Sequence, residues 1–119
     1  MKMLLALLLC LGLATPALGA GKVVATPYAP AKVLFDFYFD EPQKIGSALF
    51  WVRSLVNTLQ ASPYDYAAED NKVVVVIHGT EIVTVARHNE AKYQEAVDRM
   101  RYYADLGVSF KVCGQAMAD

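Results

Sequence analysis

The sequence predicts one α/β domain, a three-layer α/β/α sandwich built on a parallel sheet. Three β-prone runs are separated by two stretches of helical periodicity, in the order β-α-β-α-β with short connections. Right-handed crossovers make such an order a parallel sheet. The middle run, residues 72–77 (KVVVVI), is an uninterrupted apolar and β-branched stretch after its lysine, the pattern of a central strand buried on both faces. A length of 119 residues holds one domain and argues against a second.

The chain opens with a three-part leader. Lys2 supplies a basic start, residues 3–13 form a short apolar run, and residues 15–20 (TPALGA) carry small residues suited to cleavage after Gly19 or Ala20. That organisation is a secretory signal, and its apolar run is short for a membrane span. Residues 1–20 are therefore read as a signal peptide, which implies a periplasmic or secreted protein with no stable membrane association once the segment is cleaved. An uncleaved anchor is the weaker alternative. Cys10 follows Leu9 deep within the apolar run, where a lipidated cysteine would need a small residue before it. Of the first 20 residues, 15 are hydrophobic, so much of the apolar excess of the whole chain (55%) is local.

Residues 21–31 contain two prolines and no sustained period, and read as an extended arm. Residues 33–39 (VLFDFYF) form the first strand, with an apolar face at the odd positions and Asp36 on the other face beside Leu34 and Tyr38. Asp40-Glu41-Pro42 ends it and opens a helix whose apolar stripe is Ile45, Ala48, Leu49, Val52, Leu55, Val56 and Leu59. Phe50 and Trp51 widen that stripe, which points to a second packing partner or subunit. Pro63 stops the helix and begins a loop to Asn71. After the second strand the chain turns at His78-Gly79-Thr80-Glu81, and residues 82–86 fit either a short helix or an irregular turn. Asn89-Glu90 starts the second helix, with Tyr93, Ala96, Val97, Met100, Tyr103 and Ala104 facing the core. Gly107 ends it as a left-handed cap. Residues 108–113 are the third strand, and Gly114 to Asp119 would begin a further helix.

The formal net charge of −1 gives no basic surplus for nucleic acid, so Tyr64, Tyr66, Tyr102 and Tyr103 are better read as packing or subunit contacts than as base-stacking platforms. Two histidines and no zinc-ligand spacing give no metal site, and Gly79 stands without a phosphate loop, so no cofactor is expected. Asp40-Glu41 reads as helix capping, and His88-Asn89-Glu90 as a helix start.

In open parallel sheets ligands bind outside the carboxyl ends of the strands. Asp40, His78 and Cys113 all fall at such ends. Removing residues 1–20 leaves Cys113 as the lone cysteine, so the domain forms no internal disulfide. Between a strand and a helix start its thiolate would be stabilised by backbone amides and the helix dipole; the alternative is a cysteine packed as a small apolar residue. His78 would deprotonate Cys113 or position a substrate, against the alternative of capping backbone groups in its turn. Asp36 either pairs with a neighbouring strand end or faces solvent.

Residues 32–36 (KVLFD), 73–79 (VVVVIHG) and above all 107–114 (GVSFKVCG) resemble the DsrE/DsrF-like family, over residues 32–119. His-Gly after the second strand resembles an exported subgroup of that family. The resemblance implies a parallel α/β/α sandwich that assembles as homotrimers or homohexamers. It also implies that Cys113 accepts sulfane sulfur as a persulfide, exchanged with a sulfur donor or acceptor protein; His78, named from its strand-end position, would assist by charge or hydrogen bonding. The alternative is a non-catalytic oligomeric binding module in which Cys113 is structural. Measured against that family the chain looks C-terminally short, so either it is a fragment or another subunit completes the sheet.

Overall fold

The computed structural model describes Gly19 and residues 21–117. The expected signal peptide, apart from Gly19, lies outside the described residues, as does Cys10. Residues 21–31 run without regular structure and stay exposed until Ala31, which is buried. Two tyrosines tie this arm to the loop after the first helix. The Tyr64 hydroxyl donates to the Thr26 carbonyl at 2.9 Å, and the Tyr66 hydroxyl donates to the Tyr28 carbonyl.

Five regular elements follow: β1 (Lys32–Phe37), α1 (Ile45–Gln60), β2 (Lys72–Ile77), α2 (Gln94–Asp105) and β3 (Val108–Val112). The three strands form one parallel sheet in the order β1-β2-β3. Its rows are in simple register, with Phe35 opposite Val75 and Phe110, and Asp36 opposite Val76 and Lys111. The chain is α/β with a parallel sheet, as the β-branched runs require.

Both helices lie on one face of that sheet. Successive right-handed crossovers that step in one direction carry each helix to the same side. A single core results, in which Phe37, Val73, Val75, Ile77 and Val108 of the sheet meet Leu49 and Val52 of α1 and Met100 and Tyr103 of α2. Leu49, Val52, Val75 and Ile77 are fully buried, each worth about 1.5–3 kcal/mol on removal from water. The described residues thus supply two of the three expected layers. On the other face Leu34 is 64% exposed and Val74 and Val76 are only half-buried. The expectation that β2 is buried on both faces is therefore corrected: an apolar run records what a strand tolerates, and the cover on its second face depends on strand order.

The expected stripe of α1 is buried as read, except for Leu55, which is half-buried. Phe50 and Trp51 stand 52% and 66% exposed. The helix is entered through a 3-10 turn at Pro42–Lys44 with no side-chain cap, so Asp40-Glu41 does not cap it. Asp40 instead accepts from Lys44 Nζ at 2.5 Å. The second helix starts at Gln94, five residues later than expected, because residues 87–89 form a separate 3-10 turn. Asn89 is used there: its side-chain amide donates to the Val83 carbonyl at 3.0 Å, and its own carbonyl accepts from Lys92 and Tyr93. His88 is exposed, and Ala104 faces solvent rather than the core.

Gly107 ends α2 at φ +90°, a conformation that glycine adopts without a Cβ clash. A Cβ there would also stand 2.9 Å from the Ala68 carbonyl oxygen. Beyond β3, residues 114–117 make a turn.

Candidate functional site

At the carboxyl end of the sheet, the backbone is held by a buried carboxylate that the sequence reading passed over. Glu81 is fully buried. Its Oε2 accepts from the Phe39 N–H at 2.9 Å, and its Oε1 accepts from the N–H groups of Gly79 at 2.9 Å and His78 at 3.2 Å. These three amides lie just past the ends of β1 and β2, where the ladder can no longer pair all of them. One carboxylate therefore supplies the acceptor for the Phe39 and Gly79 amides, shares the His78 amide with the Phe37 carbonyl at 3.1 Å, and clamps the two strand ends together. The backbone-capping role weighed for His78 belongs to Glu81. A signal did exist, since an acidic residue two positions beyond a glycine at a strand end is within reach of the amides there.

Gly79 is required by the same packing. A Cβ on it would stand 2.4 Å from both Glu81 Oε2 and the Phe39 nitrogen. Gly79→Ala is expected to lower stability by about 3 kcal/mol, at the upper end for overpacking, as read by chemical denaturation. A loss below about 0.5 kcal/mol would contradict the close approach.

With its backbone fixed, His78 directs its side chain onto the open sheet face. Its Nε2 lies 2.5 Å from Asp36 Oδ1, two exposed-to-half-buried groups at 67% and 32% exposure for Asp36 and His78. The Tyr38 ring lies 5.1 Å from the imidazole at 32°. Asp36 therefore pairs with a neighbouring strand end, one of its two expected uses.

Cys113 continues the same row. Ile77 pairs with Val112, and the Cys113 N–H donates to the Ile77 carbonyl at 3.0 Å, so the next residues on each strand, His78 and Cys113, stand side by side. Strand alternation puts both on the open face. Cys113 is a free thiol of intermediate exposure, unlike the fully buried cysteine of a packed core.

An open cleft of about 800 Å³ adjoins this row, lined by Tyr38, Phe39, Lys44, His78, Thr80 and Ala116 among others. Asp40 lines it too, which brings two of the three strand-end groups to one cleft, while Cys113 is not among the lining residues. The Lys44 ammonium beside Asp40 holds that carboxyl below its ordinary value of 3.8. A depressed carboxyl stabilises the fold above its unfolded value and loses that contribution as pH falls through the lowered value. The Asp40 carboxyl is thus expected to titrate below 3.8 in an NMR experiment, and a midpoint at or above that value would contradict the ion pair.

A second cleft of about 370 Å³ lies between α2 and the segment before it, lined by Val85, Val97, Met100 and Phe110. On its rim Arg101 is bonded to Glu90 and to Asp98, which raises its guanidinium above the ordinary range. Among the described residues no group of three His, Cys, Asp or Glu side chains could hold a metal ion.

A parallel α/β sheet with a free cysteine at the carboxyl end of its third strand defines a class of thiol-bearing α/β domains. Residues 32–119 match the model of the DsrE/DsrF-like family, and the chain belongs to that family, which is linked to sulfur relay. No curated protein and no solved structure matches the chain.

Proposed function

We propose that this chain is a sulfur carrier or sulfurtransferase of the DsrE/DsrF-like family, exported by its leader, with Cys113 holding the sulfur as a persulfide. The observation that carries this reading is the placement of Cys113: free, half-exposed, at a strand carboxyl end and beside His78. A thiol at that position is reached by a donor, whereas a cysteine that only packs would be enclosed by the core.

The chemistry follows from thiol exchange. The Cys113 thiolate attacks the outer sulfur of a donor R–S–SH; the Cys113 Sγ–S bond forms, the donor S–S bond breaks, and R–S⁻ leaves. His78 takes the proton of Cys113 and returns it to the leaving thiolate, so that R–SH departs. An acceptor thiolate then attacks the outer sulfur of the Cys113 persulfide and regenerates the thiol. The exposed Phe50 and Trp51 support assembly of several copies, since aromatic residues are enriched where subunits meet.

The carrier step is tested by transfer. The full chain is loaded with polysulfide, freed of excess reagent and mixed with a small acceptor thiol. The wild type is expected to hand sulfur to that thiol, and Cys113→Ser to give only the background of buffer. Equal transfer by the two proteins would overturn the reading.

A further inference from the structure

We propose that Asp36 is a positioning residue, whose carboxylate fixes the His78 proton on Nε2 and leaves Nδ1 as the base that serves Cys113. The inference rests on the carrier reading but concerns a residue 42 positions from His78 that neither the strand-end rule nor the cysteine itself would single out. It starts from one contact: His78 Nε2 and Asp36 Oδ1 are 2.5 Å apart.

A carboxylate only accepts, so the nitrogen facing it carries the proton. In a neutral imidazole the other nitrogen is then the lone pair, and it lies on the opposite edge of the ring. The neighbouring side chain on that sheet face is Cys113. Asp36, His78 and Cys113 therefore come from three consecutive strands, in the order carboxylate, imidazole and thiol. That order is the logic of an activated nucleophile: a base beside it, and a third group that orients the base. When the imidazole takes the thiol proton, its positive charge forms against the Asp36 carboxylate, and the proton returns to the leaving thiolate. Nothing is oxidised or reduced overall.

Two further observations favour a built arrangement over a chance surface pair. The imidazole is fixed from a second side by the Tyr38 ring, and its backbone is fixed by Glu81. The other charges around this sheet end are Asp40, Lys44, Glu81 and Lys111. Asp40 and Lys44 are bonded to one another. Glu81 is spent on three amides. Lys111 lies in the Asp36 row on β3 and is the one cation on the strand of Cys113. Asp36 is thus the carboxylate in contact with His78. Its exposure means that its removal leaves the core intact.

The test uses the full chain and two readouts that a merely structural side chain would not move. The first is the rate at which iodoacetamide alkylates Cys113 at one neutral pH, followed by peptide mass. The second is the tautomer of His78, read from its imidazole nitrogen resonances. The wild type is expected to hold His78 with its proton on Nε2. His78→Gln is expected to slow alkylation by about 100-fold, the lower range for loss of a general base. Asp36→Ala is expected to slow it by about tenfold and to mix the two tautomers, and Asp36→Glu to restore most of both. Thermal melting of each variant checks that the fold is retained.

An Asp36→Ala protein that alkylates within about twofold of wild type overturns the proposal, whether or not its tautomer changes. The two claims separate cleanly. Asp36-dependent alkylation in a protein that takes up no sulfur would sustain the positioning role and sink the carrier reading. Sulfur uptake that ignores Asp36 would do the reverse.

Discussion

Glu81→Leu is expected to cost about 4 kcal/mol of stability, because it strips the Phe39 and Gly79 N–H groups of their acceptor and leaves the His78 N–H only its 3.1 Å bond to the Phe37 carbonyl. Phe39, Gly79 and His78 all donate to this one carboxylate, which is wholly excluded from solvent. An unpaired buried donor costs about 1–3 kcal/mol, and the nearby cleft lets water recover part of that. Glu81→Gln keeps one acceptor oxygen and turns an amide N–H₂ toward the donors, so a loss of about 2 kcal/mol is expected. Chemical denaturation reads both values. If the leucine variant lay within about 0.5 kcal/mol of wild type, Glu81 would not be the clamp described. The glutamine variant adds a link to function: it shifts the His78 backbone, and so is expected to slow Cys113 alkylation before the protein unfolds.

How much of this was legible in the chain depends on the distance over which each contact acts. The strands were readable because β-branched and aromatic runs carry their own preference, and β2 was found at Lys72–Ile77 as read. The buried side of α1 was readable from spacing alone. The open side of the sheet was not. Val74 and Val76 look identical to Val73 and Val75 in sequence, and only the sequential strand order, with both crossovers on one side, tells them apart. The start of α2 was misplaced because Asn89-Glu90 has the composition of a cap, while its hydrogen bonds serve a turn that ends before the helix.

The site shows the same division. Cys113 and His78 are singled out by the rule that ligands meet the carboxyl ends of parallel strands, which needs only strand ends. Asp36 was conspicuous as the one charge in an aromatic strand, yet its partner lies on the next strand, and the parallel register is what brings them together. Glu81 had no period to betray it. Its role depends on Phe39, 42 residues earlier, and a contact of that range appears only once the chain is folded.

Cys113→Ser is expected to abolish sulfur uptake while leaving the fold untouched. Serine has nearly the shape of cysteine, and Cys113 sits half-exposed beyond the last residue of β3. A stability change within about 0.5 kcal/mol is expected, as for other sites outside the core. The bond to the Ile77 carbonyl is donated by the backbone N–H, which the substitution keeps, so the neighbouring turn has no reason to move. The hydroxyl, however, is a poor nucleophile toward sulfur, and it has no persulfide chemistry to replace that of a thiolate. Loss of uptake with retained folding would therefore assign the chemistry to the sulfur atom.

Mass spectrometry after exposure to polysulfide tests this most directly, with wild type and Cys113→Ser treated side by side and the added sulfur located by peptide mapping. One sulfur atom added at Cys113 of the wild type, removed by dithiothreitol and missing from the variant, is the predicted result. A folded wild type that gains no sulfur at Cys113, or a variant that gains as much as the wild type, would contradict it.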